Sequence, residues 1–301
     1  MKLFKPMKGD DAVRGMLKPP YMMTPKYDGL RCLFQNGEAF TSSMKLQPNL
    51  HIQQLASSGE LDGIDCEIIV GEPTDADVFR QTTPMRGRNA DLPFVLYAFD
   101  DFTYTDEPAD HRYARLAARV DKLSKTITPI RLVPMWYIKT IAELEAQERA
   151  LIEMGYEGAM IRNPNSLYKF GRATARENWL LKLKDMMDHE AEIIDIHEQM
   201  HNTNEAKTNE LGRTKRSSAK AGKVGKGVMG AVQIRVLNGP FAGKEFALGT
   251  GFSDEQRKQI WDEWPRAKGL CVSFHYQFVG GYDLPRIASF RRFRPRHEIE
   301  S

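Results

Sequence analysis

The sequence predicts an α+β domain built on mainly antiparallel sheets, followed by a small β-barrel. Three observations carry that prediction. Runs of strand length, apolar or alternating, recur through roughly the first 185 residues with two helical patterns between them. Near residue 200 they give way to a stretch almost free of apolar side chains, and beyond it strand-like runs resume around a single helix. The expected domains are 1–187 and 188–301, with the polar stretch, about 201–227, inserted in the second.

Taken in order, MMTPKYDGLR (22–31) reads as apolar β-region that carries Lys26 and Asp28. Strand side chains alternate with period two, so these charges would share a face. They are either an ordinary surface ion pair of little energetic weight or a reactive lysine beside its carboxylate. Further strands are expected at 39–43, 65–70, 93–100, 130–138, 157–162 and 179–184, and helices at 111–124 and 140–155. In the second helix Thr140 and Glu143 form a capping box, and Gly155 is a C-terminal stop.

The stretch 201–227 carries Lys207, Arg213, Lys215, Arg216, Lys220, Lys223 and Lys226 against only Glu205 and Glu210. It has too little apolar surface to order itself, so it stays mobile or orders on a polyanion. After it come VMGAVQIRVL, EFALGTG, a helix at 253–264, LCVSFHYQFV and RIASFRRFR. With the strand at 191–200 they make a five-strand barrel with one helix, an inventory that suits an OB-fold, a common nucleic-acid-binding module.

Composition excludes several classes. The 301 residues, 41% of them hydrophobic, can fill two cores, and a net charge of +3 means that a polyanion would be met by local patches. Cys32, Cys66 and Cys271 lie far apart in apolar runs, which suits buried thiols rather than a disulfide framework or zinc site. No apolar stretch is long enough for a signal or membrane span, so the chain is expected to be cytoplasmic and free of membrane.

Three strands repeat one device. Lys26 and Asp28, Asp65 and Glu67, and Lys182 and Lys184 are i, i+2 pairs whose neighbours Cys66, Ile68, Leu181 and Leu183 face the other way. One such pair is a solvated sheet face. Three such pairs, carrying both signs between them, with Glu157 opening EGAMIR, suit a cleft that binds a nucleotide polyphosphate with a metal ion and activates a lysine.

The series KYDGLR, DCEIIV, YAFDDF, EGAMIR and LLKLK resembles the ordered motifs of the covalent nucleotidyltransferases: ATP-dependent DNA ligases, RNA ligases and mRNA-capping guanylyltransferases, whose nucleotidyltransferase domain has ATP-grasp-like antiparallel sheets. KRSSAKAGKV, MGAVQI, GTGFSDEQRKQIW and PRIASF extend the resemblance to the minimal ATP-dependent DNA ligases of the Chlorella-virus type. It implies sealing of 5′-phosphate, 3′-hydroxyl nicks in duplex DNA with ATP and Mg²⁺, or Mn²⁺ in its place, by a monomer; RNA ligation or capping is the alternative.

By the same resemblance Lys26 is the nucleophile that becomes lysyl-AMP. Lysine's ordinary pKa is about 10.4, so only about one amine in a thousand is free near pH 7.4; Lys182, Lys184 and the metal are the cations expected to favour the free amine and neutralise phosphate charge. The resemblance also implies Arg31 at the sugar or nick phosphate, Thr24 and Asp28 in the nucleotide site, Glu67 on the ribose, Phe99 (or Tyr97) on adenine, and Glu157 on the metal. Arg286 and Arg294 would reach the β- and γ-phosphates on domain closure about a hinge near 185–190, unless RRFR is a DNA-facing stripe. Lys45, Arg213, Lys215, Arg216, Lys220 and Lys223 would bind DNA, the basic stretch acting as a latch in place of a separate N-terminal DNA-binding domain. Ser42 stands where the family carries an arginine, and Cys66 where it carries glycine. A virus-encoded enzyme, working in the host cytoplasm, is the expected source.

Overall fold

The structure, a computed structural model, describes residues 5–126, 129–184, 186–208, 214–217, 219, 222–277 and 283–295. The chain divides into two compact units, Met1–Asp185 and Met186–Ser301.

In the first unit the elements run β1 (Asp10–Asp11), β2 (Tyr21–Pro25), β3 (Leu30–Gln35), β4 (Glu38–Thr41), α1 (Leu50–Ala56), β5 (Ile64–Val70), α2 (Val78–Thr82), β6 (Phe94–Asp101), α3 (Ala109–Leu123), β7 (Ile130–Leu132), β8 (Trp136–Ile138), α4 (Ile141–Glu153), β9 (Gly158–Arg162) and β10 (Leu180–Lys184). They build two five-stranded sheets, ordered β1-β10-β9-β2-β8 and β4-β3-β5-β6-β7. Pairing is antiparallel except for β1 on β10 and β6 on β7. The alternation read from the sequence is realised: Cys66 and Ile68 are sealed in one core, and Leu181 and Leu183 in another. Their charged neighbours are thereby turned the other way. Helix α3 buries Arg112, Leu116, Val120 and Leu123, a stripe at helical spacing that covers the β5 and β6 core.

Three expectations need correction. Lys26 to Gly29 is not strand but the connection from β2 to β3, so the period-two argument does not apply to Lys26 and Asp28. The run 130–138 is split at Pro134, which has no N–H to give a ladder; β7 and β8 consequently join different sheets. At the start of α4, Thr140 accepts from the Glu143 N–H at 3.1 Å, but the Glu143 carboxylate accepts from Lys139, so only half the box forms.

The second unit contains β11 (Met186–Asn202), β12 (Ala206–Thr208), β13 (Thr214–Arg216), β14 (Lys223–Val236), β15 (Glu245–Leu248), α5 (Asp254–Asp262), β16 (Cys271–Gln277) and β17 (Arg286–Arg294). The sheet order is β15-β14-β11-β16-β17, with β12 and β13 as a separate ribbon. The five strands expected for the barrel are all present, and among the described residues they pair in this linear order. Near the two edges of the sheet, the Phe290 N–H donates to the Thr250 carbonyl at 2.9 Å. Helix α5 opens with a complete capping box between Ser253 and Gln256.

In the basic stretch the described residues make more regular contacts than composition predicts for them. The β11–β14 ladder runs out to Asn202 opposite Lys223, and Asn204 Nδ2 donates to Asn202 Oδ1 and to the carbonyls of Ser217 and Ala219. Backbone pairing and one asparagine do what apolar burial could not. No described helix is long and apolar enough to cross a membrane.

Candidate active site

A cleft of about 370 Å³ lies between the two sheets of the first unit. One wall comes from Met22, Thr24, Met160, Arg162, Leu180 and Lys182, the other from Arg31, Glu67, Phe99 and Asp100, and the Lys26–Gly29 connection crosses between them. Lys26 leaves the end of β2 with its backbone N–H on the Gly158 carbonyl at 2.9 Å, and its Nζ forms an ion pair with Glu157.

Two glycines make that connection possible. A Cβ on Gly29 would stand 2.3 Å from the Ile68 carbonyl oxygen, so only glycine lets the loop pass against β5. Gly158 has φ +142°, and a Cβ there would meet the Leu183 carbonyl oxygen at 2.2 Å. Glu157 is thereby brought beside Lys26.

The remaining charges are pinned in pairs. Arg31 donates from Nε and Nη2 to the two oxygens of buried Asp65 at 2.8 and 2.5 Å, and from Nη2 to the Met7 carbonyl at 2.7 Å. Its guanidinium sits over the Phe99 ring, 5.5 Å from the centroid. Buried Asp100 is held by Arg112 at 3.0 Å and by Arg162. Burial works against charge on Asp100, but the two arginines outweigh it and keep its carboxyl below the usual carboxylate range. Glu67 is different. Burial pushes its carboxyl up to about 8, although Lys26 and Arg31 pull the other way. Lys184 is lowered by burial and then by the charge on Lys26, so the two amines feel each other.

Most of the expected residues converge. Thr24, Lys26, Asp28, Arg31, Glu67, Phe99 and Lys182 all line the cleft, with Glu157 and Lys184 in electrostatic reach of Lys26. Tyr97 does not line it: its ring stacks on Tyr27, centroids 4.6 Å apart, inside an apolar cluster. Lys45 sits exposed on the turn after β4. Arg216 and Lys223 are exposed on the second unit, where Arg294 lies 4.0 Å from Glu190. Arg213 and Lys220 lie outside the described residues, as do the side chains of Lys215 and Arg286.

Sequence reasoning missed Arg162, Arg172 and Lys8, all of which line the cleft. Arg162 could have been found, since it lies two residues beyond Met160 on the same strand face. Arg172 and Lys8 sit outside regular strands, joined by an isolated bridge, where no periodicity applies.

Among the described residues no three His, Cys, Asp or Glu side chains converge as a metal cage. Glu157 alone still fits a hard divalent ion. Such ions commonly take one or two carboxylates and complete their shell with phosphate oxygens and water.

Comparison with known proteins agrees with this geometry. Residues 2–184 match the ATP dependent DNA ligase domain family, and residues 221–294 the DNA ligase OB-like domain family. The DNA ligase of African swine fever virus is 31% identical over 102 residues, which cover 33% of this chain but only 24% of that protein, about a quarter of its length. The structure of Chlorella virus DNA ligase-adenylate is 26% identical with a TM-score of 0.55, covering 97% of this chain and 100% of that one. A Lig E DNA ligase, described as binding DNA with a minimal scaffold, has a TM-score of 0.69 at 22% identity, covering 97% and 100%; it supports the fold.

Proposed function

The chain belongs to the ATP-dependent DNA ligases, and on that premise we propose that Lys26 carries the covalent step and that nicked duplex DNA is the substrate. The observation that supports this best is the setting of Lys26: its amine, held by Glu157, opens on a cleft lined by Arg31, Arg162, Arg172 and Lys182, a concentration of cations suited to a polyphosphate.

The chemistry follows from the residues. The lone pair of the Lys26 amine attacks the α-phosphorus of ATP; a P–N bond forms, the P–O bond to pyrophosphate breaks with pyrophosphate leaving, and the amine proton passes to water or to the adjacent Glu157 carboxylate. Phe99 and Met160 line the cleft and offer apolar surface to the base, and Glu67 on the same lining would take the ribose hydroxyls. With a carboxyl that titrates near 8, Glu67 can donate one hydrogen bond as well as accept others near neutral pH. A divalent ion, Mg²⁺ or Mn²⁺ in its place, would be held by Glu157 with phosphate oxygens and would neutralise phosphate charge. AMP then passes to the DNA 5′-phosphate, and the 3′-hydroxyl attacks that phosphorus and expels AMP.

The other assignments belong to the same reading. On this reading the two domains swing about the junction between them, and Arg286 and Arg294 reach the outer phosphates. Lys45, Arg216 and Lys223, with Arg213, Lys215 and Lys220, contact the DNA backbone. The enzyme acts as a monomer, in the cytoplasm of a host cell if a virus encodes it, as the likeness to a viral ligase supports.

The test is incubation with α-labelled ATP and a divalent ion, wild type beside Lys26→Ala, followed by a nicked-duplex sealing assay. Label that survives denaturation in the wild type alone, with sealing, is the expected result. Label taken from GTP, or label retained by the variant, would overturn it.

A further inference from the structure

The N-terminal strap meets three cleft cations at every second residue. The Met7 carbonyl accepts from Arg31 Nη2 at 2.7 Å, the Gly9 carbonyl accepts from Arg172 Nη1 at 3.0 Å, and the Asp11 carboxylate pairs with Lys182 Nζ at 3.1 Å. Spacing of two is the period of an extended chain, so the Met7 and Gly9 carbonyls point the same way, and the Asp11 side chain adds a third acceptor farther along the strap.

The strap is itself tied down. Met7 is buried and its N–H donates to the Tyr168 hydroxyl at 3.0 Å. Lys8 exchanges backbone hydrogen bonds with Gly171 and Ala173, and β1 runs parallel to β10 with Asp11 opposite Lys182. Gly9 is under steric demand, since a Cβ there would stand 3.0 Å from Met160 Cε and 3.3 Å from Lys182 Cγ.

Three cations around one cleft repel each other, and of the three only Arg31 is also gripped, among the described residues, by a buried carboxylate, Asp65. We infer that residues Met7–Asp11 are a positioning rack, which holds Arg31, Arg172 and Lys182 at fixed places facing the cleft before any phosphate arrives. The inference rests on the ligase reading above. It adds a role for residues that touch no reacting atom. Asp11 supports it further: partial burial opposes its charge, but Lys182, Lys184 and Arg172 hold it below the ordinary carboxylate range, so one carboxylate serves several cations of the site.

Asp11 is the place to test this, because its side chain is 74% exposed and its removal leaves the core intact. Self-adenylation would be followed against ATP concentration for wild type, Asp11→Ala and Asp11→Glu, with sealing of a pre-adenylated nick as a second assay and thermal melting of each protein. Misplacement of one phosphate-facing cation should lower the maximal adenylation rate of Asp11→Ala on the order of tenfold. Asp11→Glu should recover most of that rate, and melting should be unchanged in both. Gly9→Val, which forces Met160 and Lys182 to move, should slow both assays even where the protein melts normally. Wild-type rates in Asp11→Ala, or a loss that Asp11→Glu does not relieve, would overturn the rack while leaving the ligase reading standing. Failure of the wild type to take up label would overturn the ligase reading instead.

Discussion

The cleft of the first unit and the basic ribbon of the second are both rich in cations, yet they treat charge in opposite ways. In the cleft nearly every charge has an assigned partner: Lys26 with Glu157, Arg31 with Asp65, Arg162 and Arg112 with Asp100, Lys182 with Asp11. The partners at the centre of this network are closed to water, with Asp65, Asp100 and Arg112 all at 2% exposure or less, while Asp11 at its edge is open. In the basic stretch Arg216 on the ribbon and Lys223 at the start of β14 stand exposed, and Arg216 donates to the backbone carbonyl of Asn204. Chemistry on one phosphorus requires charges fixed in position. Gripping a polyanion along its length requires only enough charge, which counterion release rewards wherever it falls.

The largest effect that would break this contrast belongs to Asp100. Asp100→Ala leaves Arg112, with 0% exposure, without its carboxylate, and loss of one partner from a buried pair costs about 3–5 kcal/mol. Chemical denaturation should show that loss as a lowered midpoint with an unchanged slope. A cost under about 1 kcal/mol would mean that the charges in the cleft wall are no more committed than those of the ribbon.

Next comes Arg31→Lys. The substitution keeps the charge but not the planar fork that spans both oxygens of Asp65 and reaches Met7. Sealing should fall by about a hundredfold with ATP-dependent self-labelling less affected, as expected when a positioned group shifts by about an ångström. Equal activity would show that charge alone suffices in the cleft, as it is argued to do on the ribbon.

These pairs also mark the limit of what sequence can reveal. The alternation of 65–70 and 180–184 sorts charge from core correctly, because each strand buries one face and the pattern is local. The opening lysine is legible through its motif, but the strand argument for it fails. KYDG is a loop, and what shapes it is the close approach of Gly29 to Ile68, a contact between residues far apart in the chain. Asp100 with Arg112, Arg31 with Met7 and Arg172 with Gly9 depend in the same way on tertiary neighbours, two of them backbone carbonyls that no residue type advertises. In the second unit the sequence supplies strands and helix but not the order in which the strands pair, since that depends on how distant strands meet. The ribbon is held by its own ladder, and beside it Asn204, a residue type usually read as loop, ties down the Ser217 and Ala219 carbonyls.

A pH series on Glu67 sharpens the comparison at smaller scale. Its folded carboxyl, near 8, lies above the ordinary value of 4.5. Below about 4.5 both folded and unfolded chains hold the proton, so the group contributes nothing. Between about 4.5 and 8 the unfolded chain releases it while the folded chain keeps it, so stability falls with rising pH, and above 8 the loss is complete. Glu67→Gln removes this slope. Relative to wild type at the same pH, the variant should gain several degrees in melting temperature between pH 5 and pH 8.5. A constant difference across that range would mean that Glu67 is ionised throughout.

The smallest effects should come from the basic stretch that holds the ribbon and the start of β14. Arg216→Ala and Lys223→Ala remove exposed side chains, so each should change stability by no more than about 0.5 kcal/mol. Self-adenylation, which needs no DNA, should be unaffected. Binding to nicked duplex should weaken, and the slope of log affinity against log salt should become shallower by about one for each phosphate that is no longer neutralised. In the double variant the slope should flatten by about two, because independent backbone interactions add where a pinned network would not. An unchanged salt slope in the double variant would remove the ribbon from the DNA interface. A combined weakening far greater than the sum would mean that the two cations act as a fixed constellation, and the distinction between cleft and ribbon would then fail on the ribbon's side.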